Sequence, residues 1–336
     1  MLRHLSGRPA ATTNARRWLF RLLALPLLLT AATGYAAVAN FGGTTTIDGC
    51  TLSLKTYNCK SQPKFDAIDI ADGYTVIGNL EGASATLTGN AKVTGNLKVD
   101  GVLTMGAYAS IIGNATAGDT VTMASHAFVT GNVTAGTTVT SADYVSVGGN
   151  VTAGETVTMA AFSTVGGSVM GTTVTMAANG YILGDVTGTT VTLAGNAAIG
   201  GSVLKATTVT LAANGSIMGG VSDATTVTVA AAGCIQGNVK GTTVTLAEKA
   251  KIGGNVNATE TVTLAADASV GGNVVAGTTF TTAAGSTVGG TVTEAGITSG
   301  SVGNYQKITP CTSIIPIAHS GPPSIKSREW RQLFMR

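Results

Sequence analysis

Gly254-Asn255-Val256-Asn257-Ala258-Thr259-Glu260-Thr261-Val262-Thr263-Leu264-Ala265-Ala266-Asp267-Ala268-Ser269-Val270-Gly271 decides the fold of this chain. Its glycine opens a unit that recurs at Gly78, Gly95, Gly113, Gly131, Gly149, Gly167, Gly184, Gly201, Gly219, Gly237, Gly254, Gly272 and Gly290, always 17 or 18 residues apart. A fixed period of that length marks a solenoid, in which no single unit can bury its own apolar face. Two residues before the glycine stands a β-branched aliphatic in every unit from Val93 and Ile111 to Val270 and Val288. Two more such columns run from Val133 to Val292, and from Val121 through Val191, Val209 and Val227 to Phe280. Runs such as Thr207-Thr208-Val209-Thr210 are β-branched throughout, and glycine recurs where it would weaken a helix, so the units are extended. Two or three short strands per 17–18 residues predict an all-β, single-stranded parallel β-helix with three sides. Asn and Gly at its corners are expected to serve by tolerating left-handed backbone. Twelve intervals at about 4.8 Å give a solenoid of roughly 55–60 Å.

Outward from the repeat, the ends differ in composition. Residues 1–39 carry Arg3, Arg8, Arg16, Arg17 and Arg21 with no acid, then the apolar run Leu22–Leu29, and close on Ala37-Val38-Ala39. That order reads as a signal peptide with the mature chain starting at Asn40, placing the protein in the periplasm, at the cell surface or outside the cell. The apolar run is too short for a spanning helix, so membrane contact is expected only during export. Residues 40–77 read as an N-terminal cap, 78–305 as the repeats, and 306–336 as a mobile tail with five basic residues against one acid. In an oxidising compartment Cys50 and Cys59 are the natural disulfide. Cys234 and Cys311 can pair only if the tail folds back.

Charge and reactive residues narrow the function classes. The chain has 19 Lys and Arg against 16 Asp and Glu, and removing the leader leaves 14 against 16, which gives no footprint for nucleic acid. Only His126 and His319 lie beyond residue 39, and no Cys-x-x-Cys spacing occurs, so the sequence predicts no metal centre, no cofactor and no catalytic residue. The repeat acids are scattered. Asp119 and Glu155 share a repeat position but are separated by Thr137, and Glu260 lies far along the column. A polysaccharide-active β-helix enzyme would have to use such a pair at a separation of about 9–10 Å.

The sharpest surface signal is threonine. Thr120/Thr122, Thr138/Thr140, Thr156/Thr158, Thr173/Thr175, Thr190/Thr192, Thr208/Thr210, Thr226/Thr228, Thr243/Thr245, Thr261/Thr263 and Thr279/Thr281 flank successive residues of one apolar column. With the central residue inward, both neighbours point out and form a two-rank array. Threonine is also simply a favoured exposed strand residue that forms cross-strand ladders.

The stretch Gly237-Asn238-Val239-Lys240-Gly241-Thr242-Thr243-Val244-Thr245-Leu246, with Ile252 and Gly254 after it, resembles the bactofilin-type β-helix repeat, and the likeness covers residues 78–292. The resemblance implies a right-handed β-helix that assembles end to end without nucleotide and serves as a scaffold. The leader and the cysteine-bearing cap are not part of it. The segment Cys50-Thr51-Leu52-Ser53 to Tyr57-Asn58-Cys59 is similar to the start of some exported proteins of mannose-sensitive haemagglutinin pilus clusters. The threonine pairs resemble the ice-binding face of Thr-x-Thr antifreeze β-helices. Together these readings give an exported, non-enzymatic structural or adhesive protein, associating with itself end to end or laterally, or with cell-surface or appendage components. The alternatives are an ice- or crystal-surface-binding protein and the polysaccharide-active enzyme.

Overall fold

A computed structural model describes residues 38–43, 47, 49–60, 64–300, 302–303 and 311. The expected leader lies outside them except for Val38 and Ala39, as does the tail except for Cys311. Among the described residues there is no helix, and parallel strands stack as a β-solenoid of about 13 turns.

Each coil contributes three strands to three stacks. The first stack holds Lys92–Thr94, Ser110–Ile112 and their successors up to Thr287–Val288, in a sheet of 15 strands. The second (Leu97–Val99, Ala115–Ala117, Val133–Ala135 and onward) and the third (Leu103–Met105, Thr120–Met123, Thr138–Ser141 and onward) merge into a sheet of 26 strands. The merger comes from Val221–Val229, Val239–Leu246 and Val256–Leu264, which run through the bend as single strands and absorb it in register shifts. Like residues sit over like: Val191 pairs with Val209 and Val209 with Val227. All three columns are sealed inside except at Phe280, which is partly buried at the end of the third, so alternation along each strand separates an apolar interior from a polar exterior.

Stacking extends below Gly78 into the expected cap. Tyr57 pairs with Val76 and Val76 with Val93 in the first stack, while Ala39, Ile68 and Ala85 continue the third. Here Phe41, Tyr57 and Phe65 fill the core with edge-to-face rings, at centroid separations of 4.9 Å for Phe41–Tyr57 and 6.3 Å for Phe41–Phe65. The Gly-Asn-Val signature is absent there because large rings replace the small aliphatics. The strand Ala39–Phe41 starts one residue before the expected mature terminus, so cleavage after Ala39 would trim its first residue.

An antiparallel pair closes the first stack at the N-terminal end and the second at the C-terminal end, while the parallel strands Ala39–Phe41 and Lys64–Phe65 each keep one edge without a strand partner among the described residues. Cys50–Ser53 folds against Thr56–Cys59, and a disulfide joins Cys50 to Cys59 across the pair. At the other end Ile297–Ser299 folds back on Val292–Glu294, and Val302 bridges Val288 antiparallel. The Glu294 carboxylate accepts the backbone N–H of Phe280 at 2.9 Å, so a side chain serves part of the last third-stack strand. These are devices that blunt a sheet edge.

The corners meet the expectation of left-handed Asn and Gly in part: Asn179, Asn196, Asn214, Gly73, Gly89 and Gly285 are left-handed. The asparagine of each Gly-Asn-Val unit does not adopt left-handed backbone. Instead its Oδ1 accepts the N–H of the equivalent residue one coil on: Asn79 serves Asn96, Asn96 serves Asn114, Asn114 serves Asn132 and Asn132 serves Asn150, each at 2.8 Å. Ser168, Asp185 and Ser202 continue the ladder with their own side-chain oxygens. The preceding glycine has a positive φ at Gly78, Gly95 and Gly113, and from Gly131 onward its origin is steric. A β-carbon on Gly131 would lie 2.7 Å from the Gly113 carbonyl oxygen, in the coil below. Asn132→Ala should therefore cost about 1 kcal/mol, because the Asn150 N–H loses its acceptor. A chemical melt of the two proteins measures it.

The left-handed corner lies elsewhere, after the third stack, at Tyr108, His126, Tyr144, Phe162, Asn179, Asn196, Asn214, Ala232, Lys249 and Asp267. Near the first of these coils Asp72 accepts the backbone N–H of Asn90 at 2.8 Å and its Nδ2 at 3.0 Å. Those bonds, the backbone one foremost, hold the Asp72 carboxyl below its ordinary value of 3.8. A depressed folded value contributes stability that is present above 3.8 and is lost as pH falls through the folded value. An acid titration followed by thermal melting should show this loss in the native chain, and Asp72→Asn should remove that component.

Candidate functional site

The third stack places the threonine pairs. In each four-residue strand, such as Thr190–Leu193 or Thr208–Leu211, residues two and four enter the core, leaving residues one and three outside. All ten rungs are in register. Thr120, Thr138, Thr156, Thr173, Thr190, Thr208, Thr226, Thr243, Thr261 and Thr279 form the first rank. Thr122, Thr140, Thr158, Thr175, Thr192, Thr210, Thr228, Thr245, Thr263 and Thr281 form the second.

Exposure varies along the second rank. Only its end members, Thr122 and Thr281, are exposed; Thr140, Thr158, Thr175 and Thr228 are half-exposed, as are Thr192, Thr210, Thr245 and Thr263. The physical reason is spacing: rungs about 4.8 Å apart shade the side chains above and below them. The first rank behaves in the same way, half-exposed up to Thr261 and exposed at Thr279. Thr140, Thr158, Thr175 and Thr228 therefore offer a hydroxyl and a methyl at the surface of a close-set wall, not free-standing side chains.

Among the described residues Thr120 is the one ladder threonine whose hydroxyl meets another side chain, Thr137 at 3.3 Å and Asp119 at 3.4 Å. The rest of the array keeps its hydroxyls for whatever lies outside. The two ranks are about 7 Å apart, so the face is a regular lattice fixed by the backbone.

The flanks of this face have their own chemistry. On one side Asp119, Thr137 and Glu155 stack through their backbones, and the Asp119 carboxylate accepts the Thr137 hydroxyl at 2.7 Å. Thr137 thus stands between the two carboxylates that a hydrolase would need to share a substrate. Glu260, far along the same edge, accepts from Thr278 through its backbone carbonyl. On the other side Tyr108, His126, Tyr144 and Phe162 stack ring on ring, at centroid separations of 4.7, 5.0 and 4.9 Å. His126 is held between two tyrosines. Tyr108 is 48% exposed and Phe162 37%, so the strip shows ring edges to solvent. Nothing in the sequence pattern announced it, because aromatic residues are poor markers of left-handed corners.

Among the described residues no three His, Cys, Asp or Glu side chains come together as around a metal ion, and no helix is long and apolar enough to cross a membrane. A shallow depression of about 410 Å³ lies where Gly220 interrupts the corner ladder, between Ser202 and Asn238. Its cation, Lys240, is paired with Asp223 at 2.6 Å. No ladder threonine lines it. Cys234 and Cys311 are joined by a disulfide, so the tail does fold back to the solenoid at that point. No protein-family model, curated protein or solved structure matches the chain.

Proposed function

We propose that the chain is an exported, non-enzymatic β-solenoid with a structural or adhesive role, working as single end-capped units that make contact through the threonine face. The observation that carries this reading is the ten-rung array of in-register threonine pairs whose hydroxyls, Thr120 apart, meet no other side chain among the described residues. A rigid lattice of hydroxyls and methyls suits repeated weak contacts with an extended partner, where many small terms add through multivalency. The antiparallel strands that close the first stack at the N-terminal end and the second at the C-terminal end support single units over the end-to-end growth that the bactofilin likeness implies, since they break the parallel register that another unit would have to continue. Attachment to a cell surface or a surface appendage fits that arrangement.

Two measurements test the proposal. Negative-stain microscopy and light scattering of the mature protein should give one particle length at every concentration, and filaments of variable length would overturn the end-capped unit. Thr208→Tyr with Thr226→Tyr keeps good strand formers on adjacent rungs but breaks the flat face. Retention of this variant on producing cells should fall at least tenfold, whereas unchanged retention would remove the threonine face from the account.

The same lattice favours a second reading, binding to ice or another crystalline surface. It predicts inhibition of ice recrystallisation by the native chain and its loss in the double tyrosine variant. Inactivity of the native chain ends that reading.

A further inference from the structure

Among the described residues the corner ladder has one gap. From Asn96 to Thr291 every N–H at this corner finds a side-chain oxygen one coil below, except that of Asn238. The residue in line to serve it is Gly220, which has no side chain to offer. A β-carbon there would lie 2.5 Å from the Asn238 carbonyl oxygen, so no acceptor-bearing residue fits at this position without a shift of backbone. Asn238 is exposed, and with Gly220 it lines the shallow depression at the gap. Its N–H can therefore be taken by a ligand without breaking any hydrogen bond of the protein.

Further donors surround this N–H. Ser202 Oγ accepts the Gly220 N–H at 3.2 Å, which leaves the hydroxyl proton of Ser202 to donate outward. Lys240 gives one ammonium proton to Asp223 Oδ1 at 2.6 Å and keeps two. No acidic side chain lines the depression, while Leu204 supplies an apolar wall. Donors thus outnumber acceptors, and the complementary group is one rich in acceptor oxygens. The chain itself shows which group suits the corner. Two coils below Gly220, at the same ladder position, Asp185 Oδ1 accepts the Ser202 N–H at 2.7 Å. A carboxylate is a working acceptor in this ladder, and hydrogen bonds to an ionised acceptor are the stronger kind.

We infer that the gap at Gly220 binds a small carboxylate-bearing molecule. One carboxylate oxygen takes the N–H of Asn238, as Asp185 takes that of Ser202, while the Ser202 hydroxyl and Lys240 hold the other. The depression, about 410 Å³, has room for an acid the size of one sugar ring, with Leu204 against its apolar side. No ladder threonine lines it, so the inference is independent of the role of the threonine face.

Titration of the isotope-labelled full chain with glucuronate, followed through its backbone amides by nuclear magnetic resonance, tests it. The Asn238 amide proton should move downfield and saturate, while the Asn132 amide, already bonded to Asn114, stays in place. Glucose at the same concentrations should move neither. Lys240→Gln alters a side chain that is 62% exposed, so the coils stay folded, and an unmoved Asn132 amide checks this. The variant should bind glucuronate roughly fivefold more weakly, or worse, for want of the charged donor. Three results would overturn the inference: an Asn238 amide that does not shift with glucuronate, an equal shift with glucose, or equal glucuronate affinity in Lys240→Gln.

Discussion

Val209→Asp should destroy the central coils. Val209 is fully buried, with Val191 below and Val227 above in the same column, so the new carboxylate has apolar neighbours on both sides. An unpaired charge in such a site belongs with the largest single-substitution effects, on the order of 4–5 kcal/mol. In a solenoid the damage does not stay local, because each coil is stabilised mainly by its two neighbours. A break in the middle leaves two shorter stacks, each with one uncapped end that exposes core and strand edge. The expected result is insoluble protein, or a thermal melt in which the cooperative transition is lost. Thr210→Val, one position along on the outer face, should change stability by no more than about 0.5 kcal/mol. Comparable melts for the two variants would contradict the assignment of inner and outer faces.

Gly149→Val has nearly as large an effect for a different reason. Gly149 follows Gly131 and precedes Gly167 in a column where successive backbones approach without side chains between them. A β-carbon on Gly149 would lie 2.8 Å from the Gly131 carbonyl oxygen and would also press on Asn132 Oδ1. The first contact is backbone and cannot rotate away. The second is the ladder oxygen that accepts the Asn150 N–H, so relief by moving Asn132 breaks a hydrogen bond. Overpacking of this kind costs about 1–3 kcal/mol, with about 1 kcal/mol more for the lost bond. Gly149→Ala should show a smaller loss in the same direction, and equal stability of all three proteins in a denaturant melt would refute the steric origin of the column.

The core columns were legible because the interior of a solenoid asks for the same shape every 17 or 18 residues, and Val and Ile answer it repeatedly. The register of the ten threonine rungs was legible for the same reason, since it follows from that of the valines between them. Their exposure was not: the shading of Thr140, Thr158, Thr175 and Thr228 by neighbouring rungs is a property of the stack, invisible within one repeat. The corners were harder. Asparagine in the Gly-Asn-Val unit reads equally well as a left-handed residue or as a side-chain acceptor, and the hydrogen bonds from Asn96 and Asn114 decide for the second. The true left-handed corner is occupied in four coils by Tyr108, His126, Tyr144 and Phe162, whose strain is offset by ring stacking one coil to the next. Such compensation is a tertiary effect with no local signature. The coils before Gly78 were hidden because Phe41, Tyr57 and Phe65 do the work that Val and Ile do elsewhere.

The central claim is that equivalent positions rise in equal steps along one axis. Pairs of spin labels on the second threonine rank measure this directly by pulsed dipolar spectroscopy. Thr122 and Thr192 are four coils apart and Thr122 and Thr263 eight, counted along the strand pairings. At about 4.8 Å per coil the account predicts separations near 19 Å and near 38 Å, in narrow distributions. Distances that fail to double between the two pairs, or spread broadly in both, would contradict it.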